Sequence, residues 1–322
     1  MNSFKKLIPA ALFLLVMGKL FAEIEVKSSS DLNLTASSLP EAKLGFNQHF
    51  TFPVLRGAGP LTEGNNLATT LTAEISPVSL NGAAEAVFTP IAFFQLVGGI
   101  KLGTGWNIEL GGNPVYGMGI NKPKQGSRTL ALYGGDRTYE IKGDPFDGMV
   151  WGPRFGGVFQ FDLAAVLPGD WHHVVFRTYH EWNYRGYTRA AGGESWVFEG
   201  DDMENRNGSN YYGNYLLGYQ MPIFLNTVGL MAEMSQYLYN TPDGAYWGDN
   251  LGRWTFSALF NFTITKRLEA ALIIQTRTRR NYRDGDTLNE GHYYYQYREL
   301  DRDNPQRLDF YRAAAIVTYK LR

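Results

Sequence analysis

The chain has 322 residues, with 30 Lys plus Arg against 31 Asp plus Glu and no Cys. The lack of Cys excludes disulfides and thiolate metal sites, and in an exported chain it argues against a small disulfide-stapled domain. Basic Lys5 and Lys6, an apolar run over residues 7–18 and a small residue at Ala22 predict a signal peptide over residues 1–22. Its removal takes three Lys and no acid, so the mature net charge is near 27 − 31 = −4, which disfavours nucleic acid as a partner.

The segment after the signal, residues 23–41, is polar and weakly periodic. We predict that it is a flexible tail, with a small plug as the alternative, because it carries too few apolar residues to pack alone. No later apolar run approaches the ~20 residues that a membrane helix needs, so a helical membrane protein is excluded.

From residue 42 onward, short segments alternate apolar and polar side chains. In the segment around Trp254, apolar residues occupy every second position, and the positions between them are mostly polar. Such alternation gives a strand one apolar and one polar face, as in transmembrane β-barrels. We predict twelve strands, with ten or fourteen as alternatives because residues 84–147 are rich in Gly: 42–54, 67–79, 84–95, 99–110, 113–121, 148–166, 171–186, 211–224, 227–240, 251–264, 267–281 and 307–321.

The connections between these strands differ in length. Tight turns are predicted at Asn81-Gly82, Gly111-Gly112, residues 167–170, Leu225-Asn226 and Thr265-Lys266, and a further short one near Val97-Gly98. Longer loops are predicted at 55–66, 122–147, 187–210, 241–250 and 282–306. With both termini in the periplasm, most short turns would face the periplasm and the long loops the outside.

The final strand alternates Tyr311, Ala313, Ala315, Val317, Tyr319 and Leu321 outward with Arg312, Thr318 and Lys320 inward. With this pattern, residues 42–322 resemble bacterial outer-membrane β-barrel proteins of the porin-like kind, without a motif that names a subfamily. The resemblance implies an all-β, single transmembrane antiparallel up-and-down barrel in the outer membrane of a diderm bacterium. It also implies outer-membrane lipids and the barrel assembly machinery as partners, although the family commonly ends in Phe and this chain ends in Leu321-Arg322.

Polar residues on the face opposite the apolar one are the candidate lining of the lumen. The charged candidates for pore lining are Arg154, Asp162, Arg177, Glu181, Glu233, Glu269, Arg277, Arg279 and Arg312. They predict a passive channel for small polar solutes or ions, formed by a monomer or a small homo-oligomer. The alternative is a surface adhesin or structural barrel whose lumen is closed, for instance by salt bridges among the first four candidates.

An outer-membrane hydrolase is the third alternative. The family's phospholipases use a His and a Ser two residues apart, and none of the five His residues here has Ser at that offset. A barrel protease would need an Asp pair beside a His, for which Asp201, Asp202, Asp301 and His180 are candidates. We therefore expect no catalysis, no cofactor and no metal site.

Overall fold

The computed structural model describes residues 26–39, 41–123, 139–191, 193–199, 205–238, 248, 250–281 and 300–321. In this part of the chain, twelve strands pair in one closed barrel, and each pairs antiparallel with both neighbours. The barrel strands are β1 (Lys27–Ser37), β2 (Glu41–Pro53), β3 (Asn66–Ser76), β4 (Ser79–Ile91), β5 (Phe94–Gly105), β10 (Val150–Asp162), β11 (His173–Tyr187), β13 (Gly208–Gln220), β14 (Leu225–Tyr237), β15 (Arg253–Thr263), β16 (Leu268–Arg280) and β17 (Gln306–Lys320). The predicted all-β, up-and-down barrel of twelve strands is confirmed.

The barrel closes between its first and last strands. Asp31 of β1 is opposite Lys320 of β17, and the pairing continues to Ser37 opposite Ala314. The predicted tail at 23–41 is therefore wrong over residues 27–37, which are part of the wall. Only Leu32, Leu34 and Ala36 supply the apolar face of this strand, so its alternation is weak beside the Ser-rich start.

The two ends of the barrel differ in their connections. One end, here called the loop end, carries the connections 38–40, 77–78, 106–149, 188–207, 238–252 and 281–305. The opposite end, here called the termini end, carries the two termini of the barrel and the connections 54–65, 92–93, 163–172, 221–224 and 264–267. The loop 55–66 was predicted on the same side as the other long loops, but it lies at the termini end.

That reversal follows from two errors in the strand assignment. Missing β1 inverted the direction of the next four strands, and counting residues 113–121 as a barrel strand restored the direction afterwards. The predicted turn at Asn81-Gly82 lies within β4, where Asn81 is opposite Gly103 of β5. The predicted turn at Val97-Gly98 likewise lies within β5, and the actual turns are 77–78 and 92–93. Asn-Gly commonly forms the turn of a β-hairpin. Here the pairing register of the barrel places this dipeptide inside a strand instead.

The outward-facing positions of the barrel are apolar. Phe46, Phe155, Leu217, Leu230 and Phe256 are between 40% and 66% exposed, although they are among the largest apolar side chains of the wall. Their neighbours in sequence face inward and are mostly polar, as the period of two in a strand requires. In the described part of the chain, no helix has the length and hydropathy needed to cross a bilayer.

The loop end carries additional structure of its own. Strands β8 (Met118–Pro123), β9 (Tyr139–Lys142) and β12 (Trp196–Phe198) form a small sheet, and β6 (Ile108–Leu110) pairs with β7 (Asn113–Val115). Met118, Ile120, Tyr187 and Trp196 are buried together as its core. The residues predicted as a fifth barrel strand belong to this structure, because their apolar side chains pack against the loop and not against lipid.

Candidate functional site

The interior of the barrel is the candidate site, and the pairing register shows which side chains face it. Glu199, from the connection 188–207, contacts Lys43 on β2 and Asn81 on β4. The next residue after Lys43, Leu44, and the residue before Asn81, Leu80, point to the outside of the barrel and are exposed. Following this register around the barrel places all nine candidates on the inner face.

The inner face is accessible to solvent. The side chains of Lys101, Arg154 and Arg312 expose 46%, 34% and 26% of their surface, although they point into the barrel. Charged groups are rarely placed inside proteins without water or a partner, because their desolvation is costly. These side chains have both access to solvent and charged partners.

Most of the inner charges form ion pairs, several of them between strands that are separated by a third strand. Arg154 of β10 forms an ion pair with Glu85 of β4, over Gly99 of the strand between them. Arg312 contacts Glu41 and donates from Nε to Gln275 Oε1 at 2.7 Å. The sequence-based alternative of a plug joining Arg154, Asp162, Arg177 and Glu181 is not formed, since each of these four has other partners.

Two of the acidic candidates are held by tyrosines. Glu181 accepts a hydrogen bond from the Tyr179 hydroxyl and another from Asn183 Nδ2 at 2.8 Å. Glu233 accepts from the Tyr212 hydroxyl. The Tyr and Asn donors carry no charge of their own, so they do not offset the acidic side chains on this side of the lumen, on β11 to β14.

The basic candidates on β16 face a bulge in β17. Tyr311 is an extra residue of β17 between the pairs Gln275–Arg312 and Thr276–Phe310. The Arg277 guanidinium carbon lies 3.6 Å from the centroid of the Tyr311 ring. Tyr311 was predicted to face outward; the bulge turns it to the side of Arg277 instead. Arg279 and Arg307 share Asp309, at 3.9 and 2.8 Å.

Three candidates lie closer to the termini end. Asp162 is the last residue of β10 and accepts from His173 Nδ1 at 2.7 Å, while Glu269 pairs with Lys320. Arg177 lies 5.8 Å from the centroid of the Tyr179 ring. No ion pair to Arg177 occurs among the described residues.

At the loop end, the chain crosses into the mouth of the barrel. Glu199 accepts from Lys43 Nζ at 2.9 Å, Ser79 Oγ at 2.8 Å and Asn81 Nδ2 at 2.6 Å. The ring of Phe198 lies over Gly103 of β5, where any Cβ would collide with it at 2.6 Å. We call the contacts of Glu199 with Lys43, Ser79 and Asn81 the Glu199 latch.

The latch is stabilised by charge. Burial alone would raise the pKa of Glu199, but the positive charges of Lys101 and Lys43 and the hydrogen bonds from Lys43 and Ser79 outweigh it. The pKa of Glu199 therefore lies below its ordinary value of 4.5. Its φ of +56°, unusual for a residue with a side chain, is held by the same contacts.

Sequence reasoning did not find Glu41, Lys43, Glu85 or Glu199 as members of the site. Glu41 lies just before the predicted strand 42–54 and Lys43 at its start, and Glu85 lies where alternation is poor. Glu199 lies in a loop, where no periodicity indicates which side chain turns inward. Of the hydrolase candidates, His180 lies on the outer face, where its Nδ1 is hydrogen-bonded to the Tyr211 hydroxyl at 2.6 Å. Residues 201–202 lie outside the described residues.

Comparisons with known proteins give distant similarities only. No family model and no curated protein matches the chain. Among solved structures, it is similar to the NanC porin, at 6% identity and a TM-score of 0.40, over 91% of this chain and 100% of the other. It is also similar to the KdgM porin, at 11% identity and a TM-score of 0.34, over 92% and 100%. OccK7 of Pseudomonas aeruginosa matches at 10% identity and a TM-score of 0.27, over 94% and 99%.

The fold stands on the pairing register of this chain. A closed antiparallel barrel with an even number of strands, an apolar outer face and unequal ends is the architecture of porin-like outer-membrane barrels. The predicted resemblance to that class is confirmed for the fold.

Proposed function

We propose that this protein is a passive channel for small polar solutes or ions in an outer membrane. The observation that carries the proposal is the contrast between its two faces. Inward-pointing charged side chains such as Lys101 and Arg154 remain solvent-accessible, while the outward positions expose large apolar residues. A barrel of twelve strands is wider than the smallest, side-chain-filled barrels, which supports a water-containing lumen.

The position in the membrane follows from the same contrast. An apolar outer band is stable in lipid, whereas a charge at mid-depth on that face costs about 2–4 kcal/mol. The four longest connections all lie at the loop end, which supports a periplasmic termini end and an external loop end. The predicted signal peptide, whose residues lie outside the described part, would direct export.

The Glu199 latch sets the size of the entrance in this proposal. Phe198 and Glu199 reach the inner side of β2, β4 and β5, so they cover part of the mouth on that side. Solutes would then enter beside the arginines of β16 and β17. The nine candidate residues would act as the charged lining below the entrance.

Conductance in planar bilayers tests the proposal. The purified protein should give stepwise KCl currents, and the double variant Arg177→Glu, Arg277→Glu should shift the ion preference toward cations. Fixed charges act on ions within about a Debye length, ~8 Å at physiological salt. Glu63→Gln, on an exposed termini-end loop, is the control and should leave the preference unchanged.

One outcome would replace the proposal with the surface-barrel alternative. If the protein folds and inserts but carries no current at any voltage, the channel function fails. The latch supports that alternative to the extent that it narrows the mouth.

A further inference from the structure

One sector of the inner face departs from the polar lining that a water-filled channel requires. On five successive strands, β13 to β17, the inner face carries aliphatic side chains between mid-height and the termini end. We call them the apolar arc: Leu216, Met231, Leu259, Ile273 and Ile316.

The register makes the apolar arc continuous. Leu216 is directly opposite Met231, and Leu259 is directly opposite Ile273. Met231 is opposite Ser257, two residues from Leu259, so these two side chains are diagonal neighbours within contact range. Ile316 is diagonal to Ile273 in the same way.

The apolar arc is not a packed core. All five members are partly exposed, whereas apolar inner residues on the other side of the barrel, such as Val97 and Val158, are 5% and 1% exposed. Aliphatic surface in contact with water is unfavourable, at about 25 cal/mol per Å². Its persistence on a lumen wall is explained if a ligand covers it.

A cation lies at one end of the apolar arc. Arg177 of β11 is the register partner of Leu216, so its side chain lies beside the first member. Among the described residues, the Arg177 guanidinium contacts the Tyr179 ring and forms no ion pair, so its donors can bind a carboxylate. Guanidinium binds carboxylates through two parallel hydrogen bonds.

From these positions we infer that the lumen contains a binding site for amphiphilic monocarboxylates, specifically aliphatic fatty-acid anions of medium chain length. Arg177 would hold the carboxylate, and the alkyl chain would lie along the apolar arc. Five strand spacings of about 4.8 Å separate β11 from β17, roughly 24 Å in all, which is long enough for such a chain. This inference rests on the proposed channel and names a preferred solute class for it.

Octanoate is the probe for the site, added to the full-length protein conducting KCl in a planar bilayer. We expect octanoate to interrupt the current at concentrations where butyrate and octyltrimethylammonium do not. Butyrate keeps the carboxylate but loses most of the chain, and the ammonium probe keeps the chain but carries the wrong charge.

Variants locate the site on the apolar arc. Leu259→Asn and Ile273→Asn should each weaken the octanoate block roughly tenfold, measured relative to each variant's own KCl current. Arg177→Gln should weaken it comparably, and Arg177→Lys should retain part of it. Val87→Asn makes a similar change on the inner face of β4, across the lumen, and should leave the block as in the wild type.

The outcomes separate this inference from the channel proposal. Absence of KCl current contradicts the channel itself. Normal KCl current with equal effects of octanoate and butyrate overturns the fatty-acid site alone. A block that Val87→Asn weakens as much as Leu259→Asn also overturns it, because the chain would then not bind to the apolar arc.

Discussion

At the level of single residues, the direction of a side chain decides what a substitution costs. Phe256 is near the middle of β15 and faces outward with 43% of its surface exposed, whereas Asn261 faces the lumen. We expect Phe256→Arg to destabilise the folded barrel in lipid by about 2–4 kcal/mol, because the charge would be desolvated near mid-depth. Phe260→Arg, as far from the middle of β15 on the other side, should cost a similar amount, and Asn261→Arg should be tolerated.

Urea-dependent folding into lipid vesicles measures these differences. Equal tolerance at Phe256 and Asn261 would mean that β15 is not embedded in a membrane.

The Glu199 latch predicts a response to acid. Because the folded-state pKa of Glu199 is depressed, the stability it contributes is present above its ordinary pKa of 4.5 and is lost as pH falls through the lower folded value. At neutral pH the contacts of the Glu199 latch should therefore be formed, and the single-channel current should fluctuate little. Below pH 4.5 we expect more frequent current fluctuations.

Glu199→Gln is the matching variant for single-channel recording. It should fluctuate at neutral pH and change little with acid, since the titrating group is gone. Glu63→Gln should behave as the wild type does; an identical acid response in Glu199→Gln would assign the effect to another group.

At the level of elements, β1 is the barrel strand that the sequence pattern did not predict. Its deletion would leave the edges of β2 and β17 without partners, and open edges are not tolerated in lipid. Removing residues 26–37 should abolish the compact, heat-modifiable band that folded barrels show on unheated gels. A shortened chain that still forms that band would require β2 to pair directly with β17.

The strands that sequence predicted well share a physical property. Strands β13 to β16 each carry apolar residues outward and, apart from the members of the apolar arc, mostly polar or small residues inward, so period two is visible without a structure. Strands β4 and β5 contain Gly82, Gly98 and Gly99, and small residues on both faces remove that signal. The bulge at Tyr311 was also hidden, because one inserted residue shifts the alternation only locally.

The candidate site was predictable only in part, for a related reason. Alternation gives the direction of Arg154 or Glu233, but it does not give the partner, which depends on the register between strands. Glu85 as the partner of Arg154 required knowledge that β5 lies between their strands. The inward path of the loop to Glu199 depends on packing in three dimensions and has no sequence pattern.

At the level of the whole molecule, the unequal ends predict an orientation in the cell. Single Cys substitutions can be placed freely, because the chain contains no native Cys. Asn207, at the loop end, and Glu290, which lies outside the described residues, should react with a membrane-impermeant maleimide on intact cells. Gly169 and Asn226, at the termini end, should react only after the outer membrane is permeabilised.

Labelling of Gly169 on intact cells, with none at Asn207, would invert this orientation. Asn207 is hydrogen-bonded to Tyr187, so Arg189, exposed on the same connection, is a second position for the label.

The seam between β1 and β17 has a consequence for the order of assembly. Its partners, such as Asp31 and Lys320, are separated by nearly the whole chain, so the entropy of closing this ring is the largest of any strand pair. The other barrel strands pair with neighbours close in sequence and can form first as an open sheet with two unpaired edges. Those edges stay unpaired until β17 is available, so pairing of β1 with β17, and not pairing of neighbouring strands, should limit how fast the barrel closes.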